Sequence, residues 1–205
     1  MLTPDSKGYR FQPYTIGKSL DFCACGSTKG ESLMNQIDLK SPCECSDYEI
    51  DDFMRLVTEG CEVAVGGLRK RVMAAKHLVF LRTDGQLVGV AAMKNPHDGY
   101  RLRVANASGV PLVKQEFPYE LGWVFVVPAA RGNGYAHALA KAAVTHVNKN
   151  GIIATSRTDN LAMHRILIHL EFTPSGSTYC STLDNYKLQL FLRESRVHFL
   201  SVNRI

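Results

Sequence analysis

The amino-acid sequence predicts a single α/β domain, of the α+β kind, in which helices flank a mixed β-sheet. The chain has 205 residues, of which 45% are hydrophobic and 21% charged, the size and balance of one globular domain with its own core. Helical and strand-like periodicities alternate along it. At its centre, ELGWVFVVPAARGNGYA (residues 120–136) passes from an apolar strand through a glycine turn into an Ala-rich helix.

Residues 1–45 are the least regular part of the chain, with strand-like pieces near residues 10–16. They predict either an N-terminal extension or the first strand of the domain. The four cysteines of this region form two C-x-C pairs, Cys23/Cys25 and Cys43/Cys45. Four thiolates could in principle bind one zinc ion, but zinc knuckles usually use C-x-x-C and lone cysteines usually pack as small hydrophobic residues. We therefore expect no metal site.

Two helices follow in the sequence. Ser46 and Glu49 form an S-x-x-E capping box ahead of apolar residues at helical spacing, which predicts a helix over about residues 47–59. After a pair of glycines, LRKRVMAAKHL predicts a second, basic helix.

Residues 77–82 and 86–94 predict a β-hairpin joined at Thr83-Asp84-Gly85, because Asp-Gly favours a tight hairpin turn. Residues 95–118 contain Pro, Gly and Asn around a short alternating piece, and we expect a long excursion before the central strand. The domain would span residues 46–193, and residues 194–205 would form a C-terminal tail.

The second half predicts a helix, a strand, a short helix and two strands. AHALAKAAVTHVNKN carries apolar residues at helical spacing and ends at Asn150-Gly151. The β-branched GIIATS predicts a strand, and a short helix can begin near Asn160. STYCST and YKLQLFLR then predict two strands around Asp184-Asn185.

The turn at residues 128–136 has the features of an anion site. A helix N-terminus presents unpaired N–H groups and partial positive charge. Gly132 and Gly134 permit positive φ and a close approach of the backbone, and Arg131 adds a permanent charge. A dinucleotide fingerprint would need glycine at His137, and no P-loop is present. An ordinary glycine-containing turn is the alternative.

The overall charge indicates which classes of binding partner are possible. A net charge of +5 and a pI near 8.9 permit an anionic cofactor or a nucleic acid without requiring either. No apolar run approaches the roughly 18 residues that span a bilayer, and MLTPDSKGYR lacks a signal-peptide pattern. We expect a cytoplasmic protein with mostly free thiols and no membrane partner. The oligomeric state is not indicated.

The central stretch resembles the GNAT family of acyl-CoA-dependent N-acetyltransferases. Its hallmark is a strand leading into R/Q-x-x-G-x-G/A and a helix, and these positions are filled by Arg131, Gly134 and Ala136. Downstream, Asn160 followed by MHRILIHLEF resembles the family's second cofactor motif, in which an asparagine and a short helix precede Gly-Phe. Phe172 matches that motif, whereas Glu171 replaces its glycine.

The resemblance implies a central, mixed but mostly antiparallel sheet of about six to seven strands, splayed where acetyl-CoA binds. It also implies that the backbone of Val124 and Val126 pairs with the pantetheine arm. Asn160 would belong to the second cofactor motif. The pyrophosphate would be held by the turn and helix start, at Arg131, Gly132, Asn133, Gly134, Tyr135 and Ala136.

The expected chemistry requires a base, because an amine near neutral pH is mostly ammonium and must lose a proton before it attacks a thioester. Glu120 is the candidate. It stands eleven residues before Arg131, where histone-acetylating relatives carry a strand glutamate. The structural alternative is a carboxylate at the edge of a strand, paired with a surface cation.

A second proton transfer, to the thiolate of CoA as it leaves, also needs a donor. Many family members carry a tyrosine seven residues after the motif asparagine, where this chain has Leu167. Tyr179, or another hydroxyl of the following strand, could protonate the leaving thiolate instead. The thiolate could also leave unassisted, because a free thiol has a pKa of about 8.5. In a third interpretation the protein binds acyl-CoA without catalysis.

The sequence therefore favours an N-acetyltransferase that moves an acetyl group from acetyl-CoA to a primary amine in a ternary complex. The alternatives are a non-catalytic acyl-CoA-binding or partner-binding protein and an enzyme that modifies nucleic acid. An enzyme that modifies nucleic acid would use a group of basic residues, with Tyr100 among them, to attract phosphates. The alternative is that these basic residues form an ordinary solvated face. They are Arg69, Lys70, Arg71, Lys76, Arg101, Arg103 and Lys114.

Overall fold

The computed structural model describes residues 34–60, 63–183 and 185–195, which belong to one compact unit. The strand-like pieces expected near residues 10–16 lie outside the described residues, as do Cys23 and Cys25. The described elements, in chain order, are β1 (Asn35–Lys40), α1 (Asp47–Glu59), α2 (Leu68–Met73), β2 (His77–Thr83), β3 (Gln86–Lys94), α3 (Asp98–Ser108), β4 (Tyr119–Val126), α4 (Tyr135–Thr145), β5 (Ile152–Arg157), α5 (Leu161–His169), β6 (Thr173–Cys180) and β7 (Lys187–Arg193).

The seven strands form one sheet in the order β1-β2-β3-β4-β5-β7-β6. All neighbouring strands are antiparallel except β4 and β5, which are parallel. This confirms the expected mixed, mostly antiparallel sheet within a single α/β domain. β1 lies inside residues 1–45, for which the sequence predicted either an N-terminal extension or the first strand of the domain.

Helices cover both faces of the sheet. On one face, α1 and α2 bury Phe53 and Val72 against Phe80 and Val90. On the other face, α4 and α5 bury a second cluster that includes Leu139. A third, smaller cluster joins α3 to β5 and β7. The central strands are therefore covered on both faces, so that a polar group on β4 reaches solvent only through a cavity.

Local sequence signals explain several element boundaries. The capping box is present, since Glu49 N–H donates to Ser46 Oγ (3.3 Å) and Ser46 N–H donates to Glu49 Oε2 (3.0 Å). The predicted hairpin turn is also present, with positive φ at Asp84 and Gly85. The basic helix α2 is shorter than expected, because Lys76 N–H already bonds to the carbonyl of Met93 as the chain enters the sheet.

Residues 95–118, expected as a long excursion before the central strand, contain a helix that the sequence did not indicate, α3. The helix ends at Gly109, which adopts the left-handed conformation with φ 74°. Its buried positions are Arg101, Val104 and Ser108. Two of these three residues are polar, and the Arg101 guanidinium donates to the carbonyls of Phe117 and Pro118. Hydrophobic periodicity therefore could not reveal this helix.

Candidate active site

The candidate site begins where β4 and β5 diverge. The two strands pair only at Tyr119–Leu121 and Ile152–Ala154, although β4 continues to Val126 and β5 to Arg157. Beyond Leu121, β4 has no β5 partner in the described part of the chain. The gap belongs to a cavity of about 1100 Å³ that is lined by both strands, by the turn before α4 and by residues of α3, α5 and β6.

A β-bulge lies in β4 at this point. Val90 and Ala92 of β3 are two residues apart, whereas their partners Phe125 and Gly122 on β4 are three apart. Trp123, inside the bulge, has a positive φ of 52°, an uncommon conformation for a large side chain. The bulge disrupts regular pairing beside the cavity.

The turn before α4 has the geometry of an anion cradle. Gly132 and Gly134 have φ of 87° and 74°, and a Cβ added at either position would meet no atom within 4 Å. The backbone is therefore strained for other residues and open toward the outside. Arg131 Nε donates to the carbonyl of Val126 (3.0 Å), which holds the guanidinium against the end of β4, in the turn that leads to the eleven-residue helix α4. These features fit a phosphate group.

The structure brings most of the predicted site residues to one cavity. The lining residues among them are Glu120, Val124, Val126, Arg131, Gly132, Gly134, Tyr135, Ala136, Asn160 and Tyr179. Asn133 is not a lining residue, and its Nδ2 donates to the carbonyl of Ala130 (3.1 Å). The Asn160 side chain caps α5, because its Oδ1 accepts from Met163 N–H (3.0 Å). Asn160 therefore shapes the cavity wall through a helix start.

Glu120 is 3% exposed and is held by two donors at one oxygen. The Tyr100 hydroxyl donates to Oε1 (2.8 Å), and Lys94 Nζ lies 2.8 Å from the same atom. No described residue donates a hydrogen bond to Oε2. Glu120 is the second residue of β4, the middle strand of the sheet, and the cation that pairs with it is Lys94.

Two tyrosines share the cavity with Glu120. The Tyr179 hydroxyl is buried without a hydrogen-bond partner among the described residues, and burial, with a smaller effect of the Glu120 charge, raises its pKa to about 12. Burial and the same charge also raise the pKa of Tyr100 well above its usual value. Both phenols are therefore protonated at neutral pH. Sequence reasoning missed the contact of Tyr100 with Glu120, because α3 was not expected.

The basic residues that suggested a nucleic-acid surface are largely engaged within the protein. Arg69 pairs with Asp47 and Asp51, and Lys114 pairs with Asp98. The remaining engaged cations donate to backbone carbonyls; they are Arg71, to Ala64 and Gly66, and the buried Arg101. Ion pairing and burial reduce the phosphate attraction that these residues would provide.

Two further expectations concern metals and membranes. Cys43 is exposed and Cys45 is half-buried. Within residues 34–60, 63–183 and 185–195, no group of three His, Cys, Asp or Glu side chains is placed to bind a metal ion. None of the helices described is both long enough and apolar enough to cross a bilayer.

Comparisons with known proteins identify a family and similar solved structures. A model of the acetyltransferase (GNAT) family matches residues 45–172. Similar solved structures include an acyl-CoA N-acyltransferase from Pseudomonas aeruginosa, with 17% identity, a TM-score of 0.57 and coverage of 79% of this chain and 99% of that chain. The ribosomal-protein-S18-alanine N-acetyltransferase from Escherichia coli has 13% identity and a TM-score of 0.56, with coverage of 79% and 94%.

A third structure is yncA, a putative acetyltransferase from Salmonella typhimurium with its cofactor acetyl-CoA. It has 16% identity and a TM-score of 0.51, with coverage of 78% of this chain and 93% of that chain. No curated protein matches the sequence significantly. At these identities the solved structures show the fold, whereas the family model matches more than half of the sequence. The chain therefore belongs to the acetyltransferase (GNAT) family.

Proposed function

We propose that this protein is an acetyl-CoA-dependent N-acetyltransferase that acylates a primary amine by direct attack in a ternary complex. The observation that carries the proposal is the position of Glu120. Its carboxylate lies where β4 and β5 diverge, in the same cavity as the glycine turn before α4. A base and an anion cradle in one cavity are what acyl transfer from coenzyme A to an ammonium requires.

The donor would bind along β4 and the turn. The amides from Gly132 to Ala136 and the Arg131 guanidinium would hold the pyrophosphate. Val127 N–H bonds to Val88 on β3, so by strand alternation the Val126 N–H points toward the gap beside β5. Val124 lies in the bulge and lines the same cavity. The N–H groups of these two valines are candidates to pair with the pantetheine arm and to stabilise the oxyanion that develops on the thioester carbonyl.

Glu120 would take the proton of the acceptor ammonium. Lys94 and Tyr100 both contact Oε1, which fixes the carboxylate, and Oε2 is left to accept a proton directly or through water. The amine nitrogen then bonds to the thioester carbon to give a tetrahedral oxyanion, and the carbon–sulfur bond breaks as this intermediate collapses. The nitrogen carries an extra proton after the attack and releases it to water, so that a neutral amide and a thiolate result.

Tyr179 would protonate the leaving thiolate. Its hydroxyl is protonated at neutral pH and has no hydrogen-bond partner among the described residues, so its proton is available in the cavity. Leu167, at the position of the usual tyrosine, is fully buried in the core and cannot serve. Tyr100 is less suited to this role, because its hydroxyl already donates to Glu120.

The test is acceptor-dependent thiol release. The purified protein is incubated with acetyl-CoA and a panel of amines, and free CoA is followed with a thiol reagent. We expect release that depends on both protein and amine. Stoichiometric binding of CoA without amine-dependent release would instead favour a non-catalytic acyl-CoA-binding protein.

A further inference from the structure

We propose that the acceptor is a small primary amine that carries a carboxylate, and that Arg103 binds this carboxylate. The inference rests on the proposed function, because it takes Glu120 as the end of the cavity where the amine reacts. It is carried by one juxtaposition: the Arg103 guanidinium lies over the ring of Tyr100, whose hydroxyl donates to Glu120. A single tyrosine thus joins the candidate base to a cation at the cavity wall.

The charge balance of the cavity favours an anion. Among the described lining residues Glu120 is the only carboxylate, and Lys94 already pairs with it. The other lining cations are arginines, namely Arg71, Arg103, Arg131 and Arg157. Arg131 belongs to the proposed phosphate cradle, and Arg157 pairs with Asp159. Arg71 of α2 and Arg103 of α3 therefore have no carboxylate partner among the described residues, and their field favours a negatively charged ligand.

Arg103 is the better candidate of the two to contact the ligand. Arg71 donates to the carbonyls of Ala64 and Gly66, which fixes its guanidinium against the protein. Arg103 is exposed, and the structure shows no ion pair to it from a described residue. Its guanidinium carbon lies 5.3 Å from the centre of the Tyr100 ring. Stacking orients the planar fork of an arginine, which suits two parallel hydrogen bonds to a carboxylate.

The arrangement also limits the shape of the acceptor. The amine would lie near Glu120 at one end of the Tyr100 side chain, and the carboxylate near Arg103 at its ring. Trp123 lines the same cavity, with Lys94 Nζ 5.2 Å from its ring centre. An acceptor whose amine and carboxylate are separated by a flat apolar body fits this distribution of charge and aromatic surface. Outside the cavity, Arg69 and Lys114 are paired with aspartates, so they attract a polyanion such as nucleic acid less strongly.

The test uses two small amines that differ in the carboxylate alone, 4-(aminomethyl)benzoate and benzylamine. Trp123 is the only tryptophan of the chain, so its fluorescence reports ligand binding at this wall without any turnover. We expect saturable quenching by 4-(aminomethyl)benzoate at a concentration about tenfold or more below that needed for benzylamine, the range of a charge-assisted hydrogen bond. In thiol release, kcat/KM should show the same preference.

Three variants make the test specific. Arg103→Ala should abolish the preference for the carboxylate, and Arg103→Glu should reverse it. Arg165→Ala removes an exposed arginine of α5 that does not line the cavity, and it should leave the preference unchanged. Equal affinities, absence of saturable quenching by the carboxylate, or a preference that survives Arg103→Ala would overturn the proposal.

The failure of this inference is distinguishable from failure of the proposed function. If benzylamine supports thiol release as well as 4-(aminomethyl)benzoate does, the protein is an N-acetyltransferase as proposed, and the proposed class of acceptor is wrong. If 4-(aminomethyl)benzoate binds through Arg103 but no amine causes release of CoA, Arg103 binds a carboxylate as proposed, and the proposed acetyltransferase activity is wrong. A preference for a lysine-containing acidic peptide over 4-(aminomethyl)benzoate would replace the small molecule with a protein acceptor.

Discussion

Lys94 Nζ lies 2.8 Å from Glu120 Oε1, and the two residues face each other in register on β3 and β4. The lysine side chain passes over Gly122 to reach the carboxylate. A Cβ built on Gly122 would lie 2.6 Å from Lys94 Cε and 2.9 Å from Nζ. The absence of a side chain at residue 122 therefore allows the ion pair to form beside the cavity.

We predict that Gly122→Ala displaces Lys94 from Glu120 while the protein still folds, because the obstructed atoms are the flexible end of a side chain. Separating a buried carboxylate from its cation should lower the free energy of unfolding by about 1–3 kcal/mol. Lys94→Met should have a similar effect, and Gly122→Ala should cost little more in that background. Urea unfolding of the four proteins measures this; purely additive effects would show that Gly122 acts independently of Lys94.

Glu120→Gln should lower kcat by a factor of about 100 or more with little change in acetyl-CoA affinity, because the amide keeps the shape but cannot accept the proton. Thiol release gives kcat, and calorimetry gives the affinity for CoA. The matched control is Glu116→Gln, an exposed glutamate that does not line the cavity. Unchanged turnover in Glu120→Gln would remove this residue from the mechanism.

The sequence predicted the elements whose signals are local. The capping box at Ser46, the Asp84-Gly85 turn and the glycine turn at residues 131–134 each depend on neighbouring residues, and all three are present. Position in the sheet was not accessible in the same way. The role of β4 as the middle strand depends on pairing with β3 and β5, which no single segment encodes.

The candidate site was predicted to the extent that it lies on the family motif. Arg131, Gly132 and Gly134 line the cavity as expected. The partners of Glu120 were missed for different physical reasons. Lys94 reaches it through a cross-strand register, and Tyr100 reaches it from a helix whose buried face carries an arginine and a serine. Neither contact leaves a periodic pattern in the sequence.

Gly134→Arg should abolish CoA binding with the fold retained. The position has φ 74° and open space around it, so the substitution adds about 1 kcal/mol of backbone strain and fills the cradle with a long side chain. Gly109→Arg is a matched control, because Gly109 has the same φ of 74° and open surroundings but does not line the cavity. Calorimetry with CoA distinguishes the two. Wild-type affinity in Gly134→Arg would exclude the turn as a phosphate cradle.

Tyr179→Phe should lower kcat by about 10- to 100-fold and leave the free energy of unfolding nearly unchanged. The hydroxyl has no hydrogen-bond partner among the described residues, so its loss removes a proton donor but no stabilising contact. Tyr100→Phe should instead reduce stability, because Tyr100 donates to Glu120. Full activity of Tyr179→Phe would indicate that the thiolate leaves unassisted, or that another hydroxyl protonates it.

His77 should make the stability depend on pH. Burial, with a smaller effect of His146 4.3 Å away, lowers the pKa of His77, and Lys76 acts in the same direction whereas Glu44 opposes it. Neither ring nitrogen of His77 has a hydrogen-bond partner in the described structure. The charged form is therefore disfavoured in the folded protein and is tolerated in the unfolded chain.

The sign follows from proton binding. Above the unfolded pKa of about 6.5 both states are neutral at His77 and the full stability is present; as the pH falls below it, only the unfolded state takes up the proton, and stability is lost. We expect the urea midpoint of the wild type to fall between about pH 7.5 and about pH 5.5, and to fall less in His77→Phe. His169→Gln, which removes an exposed histidine of α5, should retain the wild-type dependence. Equal slopes in wild type and His77→Phe would show that other groups cause the loss.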